Sequence, residues 1–299
     1  MADDVPAHPV SLGVLVADVR ARLRSVGVDD AGREARHLVG TLLDIAPETF
    51  LGHPEISVSE ADNASVLAGL TKRLAGMPIG RIVGRRDFYG RDFKLGPATL
   101  EPRPDSEVLI EAALELVTQA GWRDAPLRII DVGTGSGCLL ITLLAELPRA
   151  TGVGVDIAPE ALEVATRNAQ EHRVAERVQF IERDMLDNVD GAFHLLVSNP
   201  PYIRTPDLAD LDLEVREYDP VAALDGGRDG LEFYRRIGAD IERVVPDGWM
   251  LFEVGAEMAD DVCLEIDVFS GDNRRRDWKV WRDLNGHKRC VAAKTLNNQ

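Results

Sequence analysis

The chain has 299 residues, 45% of them apolar and 28% charged, enough to bury a full core and to form two domains. Its 34 basic residues stand against 51 acidic ones, and the net charge of −17 opposes any affinity carried by phosphates, so duplex nucleic acid is not an expected partner. No apolar run approaches the roughly 18–20 residues of a bilayer span, and "MADDVPAHPV" lacks the basic-then-apolar layout of a signal peptide, so no membrane association and a cytoplasmic location are expected.

The first 75 or so residues read as helical. "SLGVLVADVRARLRSVG" sets Leu12, Val16, Val19 and Leu23 at helical spacing, "DDAGREARHLVGTLLD" does so with Ala35, Leu38 and Leu42, and "SEADNASVLAGLTKRLAG" supplies a third helix. Pro78 and Gly80 then punctuate the chain. These features delimit a helical domain over 1–80. "RRDFYGRDFKLG" alternates around Gly90 and reads as a hairpin within a linking segment, 81–98. Two basic islands, "RIVGRRDFYGR" at 81–91 and "NRRRDWK" at 273–279, read as a solvated hairpin or loop, with contact to an acidic partner as the alternative.

From residue 99 onward the rhythm is short apolar strands alternating with helices, the pattern of a mostly parallel α/β sheet. Strands are expected at 127–132, 151–156, 177–182, 193–198, 247–254, 278–283 and 288–293. Helices are expected at 104–120, 137–147, 159–172 and 229–244, with Pro159 suited to a first turn. Asn285-Gly286 is a strong hairpin signal, so the sheet is expected to finish antiparallel. Cys138, Cys263 and Cys290, odd in number and far apart, read as reduced thiols, and the scattered histidines give no metal site.

The chemistry concentrates at strand ends. "DVGTGSG" places Gly133, Thr134, Gly135, Ser136 and Gly137 between a strand and a helix, where the backbone can turn tightly and approach a ligand. The third glycine of a dinucleotide fingerprint would fall at Cys138, so the spacing is G-x-G-x-G instead. The next strand ends in Asp156, a carboxylate placed to accept from ribose hydroxyls; the one after it ends in Asp184 and Met185, an acid and an apolar cover for an adenine. The fourth ends in "NPPY", Asn199, Pro200, Pro201 and Tyr202. Two prolines stop the ladder. The Asn199 amide oxygen and the Pro200 carbonyl can accept both hydrogens of a planar –NH₂ group while the Tyr202 ring stacks on it. A merely tight turn would explain the glycines and prolines without the acids and the tyrosine.

Together these motifs resemble the class I S-adenosylmethionine-dependent methyltransferases that modify amide or exocyclic nitrogens. "PIGRIVGRRDFYGRDF", "LEPRPDSEVLIEAAL", "DVGTGSGCLLITLL", "VSNPPYI" and "DLNGHKRCVAAK", in that order behind a helical bundle, more narrowly resemble the release-factor glutamine methyltransferases (HemK/PrmC family) over nearly the whole chain. The resemblance implies a Rossmann-like methyltransferase domain over 99–299, with a substrate-recognition role for 1–80. It also implies S-adenosyl-L-methionine as cofactor and N5-methylation of the glutamine in the Gly-Gly-Gln motif of peptide chain release factors. Carried over by position, Gly133 to Gly137, Asp156, Asp184, Met185 and Asn199 hold the cofactor, and Asn199 to Tyr202 hold the glutamine, with Asn199, Pro200 and Tyr202 catalytic. The family's threonine is Ser106 here, and Met185 stands where an aromatic or variable residue is usual. Arg103 and Glu107 are expected to brace the cleft, and the protein is expected to be a monomer. Glutamine methylation of a ribosomal protein, adenine-N6 methylation of nucleic acid and a non-catalytic cofactor-binding scaffold are the alternative readings.

Overall fold

A computed structural model describes residues 10–270 and 275–295, in two compact units, 1–84 and 85–299. The first unit contains β1 (Val10–Ser11), α1 (Leu12–Ser25), α2 (Ala31–Leu43), α3 (Thr49–Gly52), β2 (Ser57–Val58), α4 (Glu60–Leu74) and α5 (Ile79–Val83). The starts of α1, α2 and α4 are capped: Ser11, Asp30 and Ser59 accept from the backbone amides of Val14, Arg33 and Asp62, satisfying donors the first turn leaves open. Leu12, Leu15, Val19 and Leu23 form the buried stripe of α1. Leu15 takes the place expected for Val16, which is half-buried. The unit is not wholly helical, because the two-residue strands β1 and β2 pair antiparallel. It extends past residue 80, because α5 packs with α2 and α4.

The second unit opens on the hairpin β3 (Arg85–Phe88) and β4 (Arg91–Lys94). There follow α6 (Glu107–Gln119), β5 (Arg128–Val132), α7 (Cys138–Glu146), β6 (Thr151–Asp156), α8 (Pro159–Glu171), β7 (Val178–Glu182) and β8 (Leu195–Ser198). The remainder is α9 (Leu213–Tyr218), α10 (Glu232–Val244), β9 (Trp249–Glu253), α11 (Ala259–Phe269), β10 (Lys279–Arg282) and β11 (Lys288–Lys294). One seven-stranded sheet runs in the order β10-β11-β9-β8-β5-β6-β7. The pairs among β9, β8, β5, β6 and β7 are parallel, and β11 lies antiparallel between β9 and β10. Its faces are covered by two apolar clusters, one around Ile110, Leu116, Leu140 and Leu144, the other around Ile237, Ile241, Val262 and Ile266. Strands buried on both faces read as continuous apolar runs, which is why β5 and β8 were legible.

The sheet order brings the ends of β7, β6, β5, β8 and β9 side by side along one edge. Crevices at such carboxyl ends, near the point where strand order reverses, are where open α/β sheets bind ligands. The basic islands are not simply solvated. Arg85 pairs with Asp92 and Glu171, Arg86 with Glu101, and Arg91 with Glu146. Arg276 is buried against Asp267 of α11 and Glu242 of α10; Asn273 and Arg274 lie outside the described residues.

Candidate active site

The loop from β5 to α7 passes through positive φ at Gly133, Gly135 and Gly137 (+73°, +55° and +80°), a conformation only glycine adopts without penalty. The amides of Gly133 and Thr134 both donate to the Val155 carbonyl, each at 2.9 Å. Gly135 N donates to Asp156 Oδ2 at 2.8 Å, and Ala158 N to Oδ1 at 3.0 Å. The end of β6 therefore holds the glycine loop in shape. Burial pushes the Asp156 carboxyl above its ordinary value against those bonds. From below, buried Asn168 of α8 donates to the Ser136 carbonyl at 2.8 Å and to the Lys94 carbonyl at 3.1 Å, tying loop to hairpin.

A cleft of about 560 Å³ lies over this edge. Gly133 to Ser136, Asp156, Asp184, Met185 and Asn199 to Pro201 all line it. Gly137 does not; it sits beneath, where a Cβ would meet Ile141 and Ala165. Asp184 Oδ1 is held at 2.8 Å by Arg236 of α10, and Met185 has φ +56° and packs on the core. Phe233 and Arg236 of α10 also line the cleft.

A second cavity of about 200 Å³ adjoins the first. It is lined by aliphatic Ile203, Leu211, Val215 and Leu224, with Tyr202 and Glu253. The two cavities share Leu100, Arg103, Asn199, Pro200 and Ala223, so the Asn199-Pro200 step stands between them. Ile203 forms a parallel bridge to Asp225. At Gly230, with φ +78°, a Cβ would lie 2.4 Å from the Tyr202 carbonyl oxygen; only glycine lets that backbone pack so closely. Burial pushes the Tyr202 phenol up to about 12, with Glu253 adding to the shift, so it stays protonated.

The residues that hold Asn199 come from far away in sequence. Its Nδ2 donates to Ser106 Oγ at 3.2 Å, and the Ser106 hydroxyl donates to Glu253 Oε2 at the end of β9. Burial pushes Glu253 up to about 7, against the hydrogen bond from Ser106 and the charge of Arg289. Asp131 of β5, fully buried, accepts from Thr134 Oγ1 at 2.7 Å while its Oδ1 has no partner. Burial pushes it also to about 7. Arg103 lines both cavities and pairs with Asp219, whereas Glu107 accepts from Tyr89 N at 2.8 Å in the β3–β4 turn and lines neither cavity. His194 accepts from Arg128 N at 3.0 Å and packs edge-on to Trp122, away from both cavities.

Residues 107–212 match the family model of the methyltransferase small domain, and residues 15–84 that of the PrmC N-terminal domain. The release factor glutamine methyltransferase of Rhodospirillum rubrum is 39% identical over 284 residues, an overlap of 95% of this chain and 85% of that one. The chain belongs to the release factor glutamine methyltransferase family. The family member from Agrobacterium fabrum is 42% identical over 244 residues, covering 81% of this chain and 84% of that protein. Among solved structures, the hMettl16 catalytic domain in complex with the MAT2A 3′UTR hairpin 6 matches with a TM-score of 0.53 at 12% identity, over 87% of this chain and 93% of that one. That likeness speaks for the class I methyltransferase fold alone. The family assignment makes the protein an enzyme, a methyltransferase; of the quoted motifs, the segments 100–106 and 199–203 and the glycine loop contribute residues to the lining of the two cavities. Sequence reasoning missed Ser106's contact, Glu253, Asp131 and Asn168; an acid closing an apolar strand, as Asp156 does, was the available signal for Glu253.

Proposed function

We propose that this enzyme methylates the side-chain amide nitrogen of the glutamine in the Gly-Gly-Gln motif of peptide chain release factors, with S-adenosylmethionine as methyl donor. The observation that carries the reading is the pair of cavities meeting at Asn199-Pro200, a larger one for the donor and a smaller one for the acceptor. The larger one fits a nucleoside with an amino-acid tail. Gly133 presents open space where any other residue would place a Cβ, Asp156 offers a carboxylate for ribose hydroxyls, and Met185, Leu139 and Ile157 give apolar cover. Bound there, S-adenosylmethionine supplies an activated methyl on a sulfonium.

The protein's own contribution is placement. An amide nitrogen is a weak nucleophile because its lone pair is delocalised. Asn199 Oδ1 and the Pro200 carbonyl accept its two N–H groups, which fixes the amide plane and stabilises positive charge growing on the nitrogen; Tyr202 closes one face. Holding the two reactants in line contributes up to roughly 7–11 kcal/mol in favourable systems. The aliphatic lining of the smaller cavity suits the methylene stem of glutamine. The names borne by the relatives support the same substrate.

The test is incubation with labelled S-adenosylmethionine and three acceptors: a release factor, the same factor with its Gly-Gly-Gln glutamine replaced by alanine, and a DNA duplex. One methyl group mapped to that glutamine, and lost with it, supports the reading. Label on DNA alone replaces it with adenine methylation.

A further inference from the structure

Behind Asn199 runs a chain of hydrogen bonds with a fixed direction. Glu253 closes β9 and is 2% exposed. Ser106 gives its hydroxyl hydrogen to Glu253 Oε2. A hydroxyl has one hydrogen, so the Ser106 oxygen, 3.2 Å from Asn199 Nδ2, can only accept there. Asn199 beside the Glu253 carboxylate favours its ionised form. A reversed amide would set Oδ1 against an oxygen with no hydrogen to give and beside a carboxylate. With Nδ2 committed inward, Oδ1 is the group left for the cavities.

We propose that Glu253 is a positioning residue: through Ser106 it sets the rotation of the Asn199 amide so that an acceptor, and not a donor, meets the substrate amide. The inference rests on the function proposed above, because only a substrate –NH₂ needs that polarity. A reversed Asn199 would present N–H to N–H and leave the substrate nitrogen unheld.

The same chain makes the polarity depend on charge. Protonated, Glu253 gains a hydrogen that can go to Ser106, whose own hydrogen can then turn to Asn199 Oδ1. The titratable or charged groups facing Glu253 are Arg289 and Cys290 of β11, Asp105 just before α6, Cys138 of α7, Tyr202 after β8, and Tyr234 of α10, which donates to the Glu253 carbonyl at 2.7 Å. Arg289 is held by Asp105 and Asp283, each at 3.1 Å. Burial raises the two thiols and the two phenols further above neutrality, whereas Glu253 sits at about 7. Turnover is therefore expected to rise as pH climbs through about 7.

The test measures kcat and KM across the neutral pH range with a release factor as acceptor, for the wild type, Glu253→Gln, Ser106→Ala and Ser106→Thr, with cofactor affinity by calorimetry as the check that each cleft is folded. Glu253→Gln is expected to lower kcat roughly 10- to 100-fold, to leave cofactor affinity within about twofold, and to erase the acid limb of the profile. Ser106→Ala should fall similarly and Ser106→Thr, which keeps the hydroxyl, should recover most of the loss. If the wild type methylates the release factor while Glu253→Gln keeps both its turnover and its acid limb, the positioning role is overturned and the proposed function stands. If Glu253→Gln fails to fold, equal turnover of Ser106→Ala and Ser106→Thr overturns it. A wild type that binds the cofactor yet never labels the glutamine removes the function and this inference together.

Discussion

Gly133→Ala and Gly137→Ala separate two jobs of one loop. Both residues sit at positive φ, +73° and +80°, so each alanine incurs a left-handed penalty of about 1–2 kcal/mol. Their surroundings differ. At Gly137 an added Cβ lies 2.8 Å from Ile141 Cδ1 and 3.2 Å from Ala165 Cβ, and such overpacking costs about a further 1–3 kcal/mol. At Gly133 an added Cβ meets nothing within 4 Å and enters the cleft. At roughly 2–4 °C per kcal/mol for a unit of this size, Gly137→Ala should lower Tm by roughly 4–20 °C, and Gly133→Ala by roughly 2–8 °C. Cofactor affinity should move the other way, with Gly133→Ala losing about tenfold or more and folded Gly137→Ala losing less. Paired thermal melts and calorimetric titrations read both quantities. Equal Tm losses, or undiminished affinity in Gly133→Ala, would refute the assignment of one glycine to packing and the other to the ligand.

Asn199→Ala should abolish turnover while weakening S-adenosylmethionine binding only moderately; near-normal methylation would remove Asn199 from the reaction. Asp156→Asn, which keeps the shape but not the charge, should weaken cofactor binding about tenfold, and an unchanged titration would sink the ribose role. Tyr202→Phe should keep most activity and Tyr202→Ala little, since the ring face survives in the first; equal losses would point to the hydroxyl. Burial raises Asp131 from 3.8 to about 7, so the folded state holds that proton more tightly than the unfolded one. Stability from this group is accordingly lost as pH rises from about 4 to 7, by up to about 4 kcal/mol. Asp131→Asn should flatten the dependence of Tm on pH over that range, and identical slopes for variant and wild type would contradict it.

The parts of the molecule legible in the sequence are those whose chemistry sits in consecutive residues. The glycine loop, Asp156 and the Asn199 to Tyr202 run each declare themselves within a few positions, and the buried strands β5 and β8 show as apolar runs between breakers. Glu253 and Ser106 are 147 residues apart, and no local pattern links them; the sheet order, which sets β9 beside β8, and the packing of α6 on β9 bring them to Asn199. Helix α11 escaped notice because its buried stripe, Ala259, Val262 and Ile266, is blurred by exposed Leu264, Val268 and Phe269. Arg276 looked like part of a solvated run because the acids that neutralise it belong to two other helices.

Strand β11 is made after every other strand of the sheet, yet it occupies an interior position between β9 and β10. Until residues 288–294 have left the ribosome, β9 has a bare edge on one side, and an unpaired apolar edge is a template for association with other chains. Cys290 to Ala293, all fully buried, close that edge, and Cys290 pairs with Glu253 itself. The carboxylate that stands behind Asn199 is thus framed only once β11 has been made. A nascent chain halted before β11 would carry the glycine loop, Asp156 and the Asn199 to Tyr202 run and still lack a finished wall to its site.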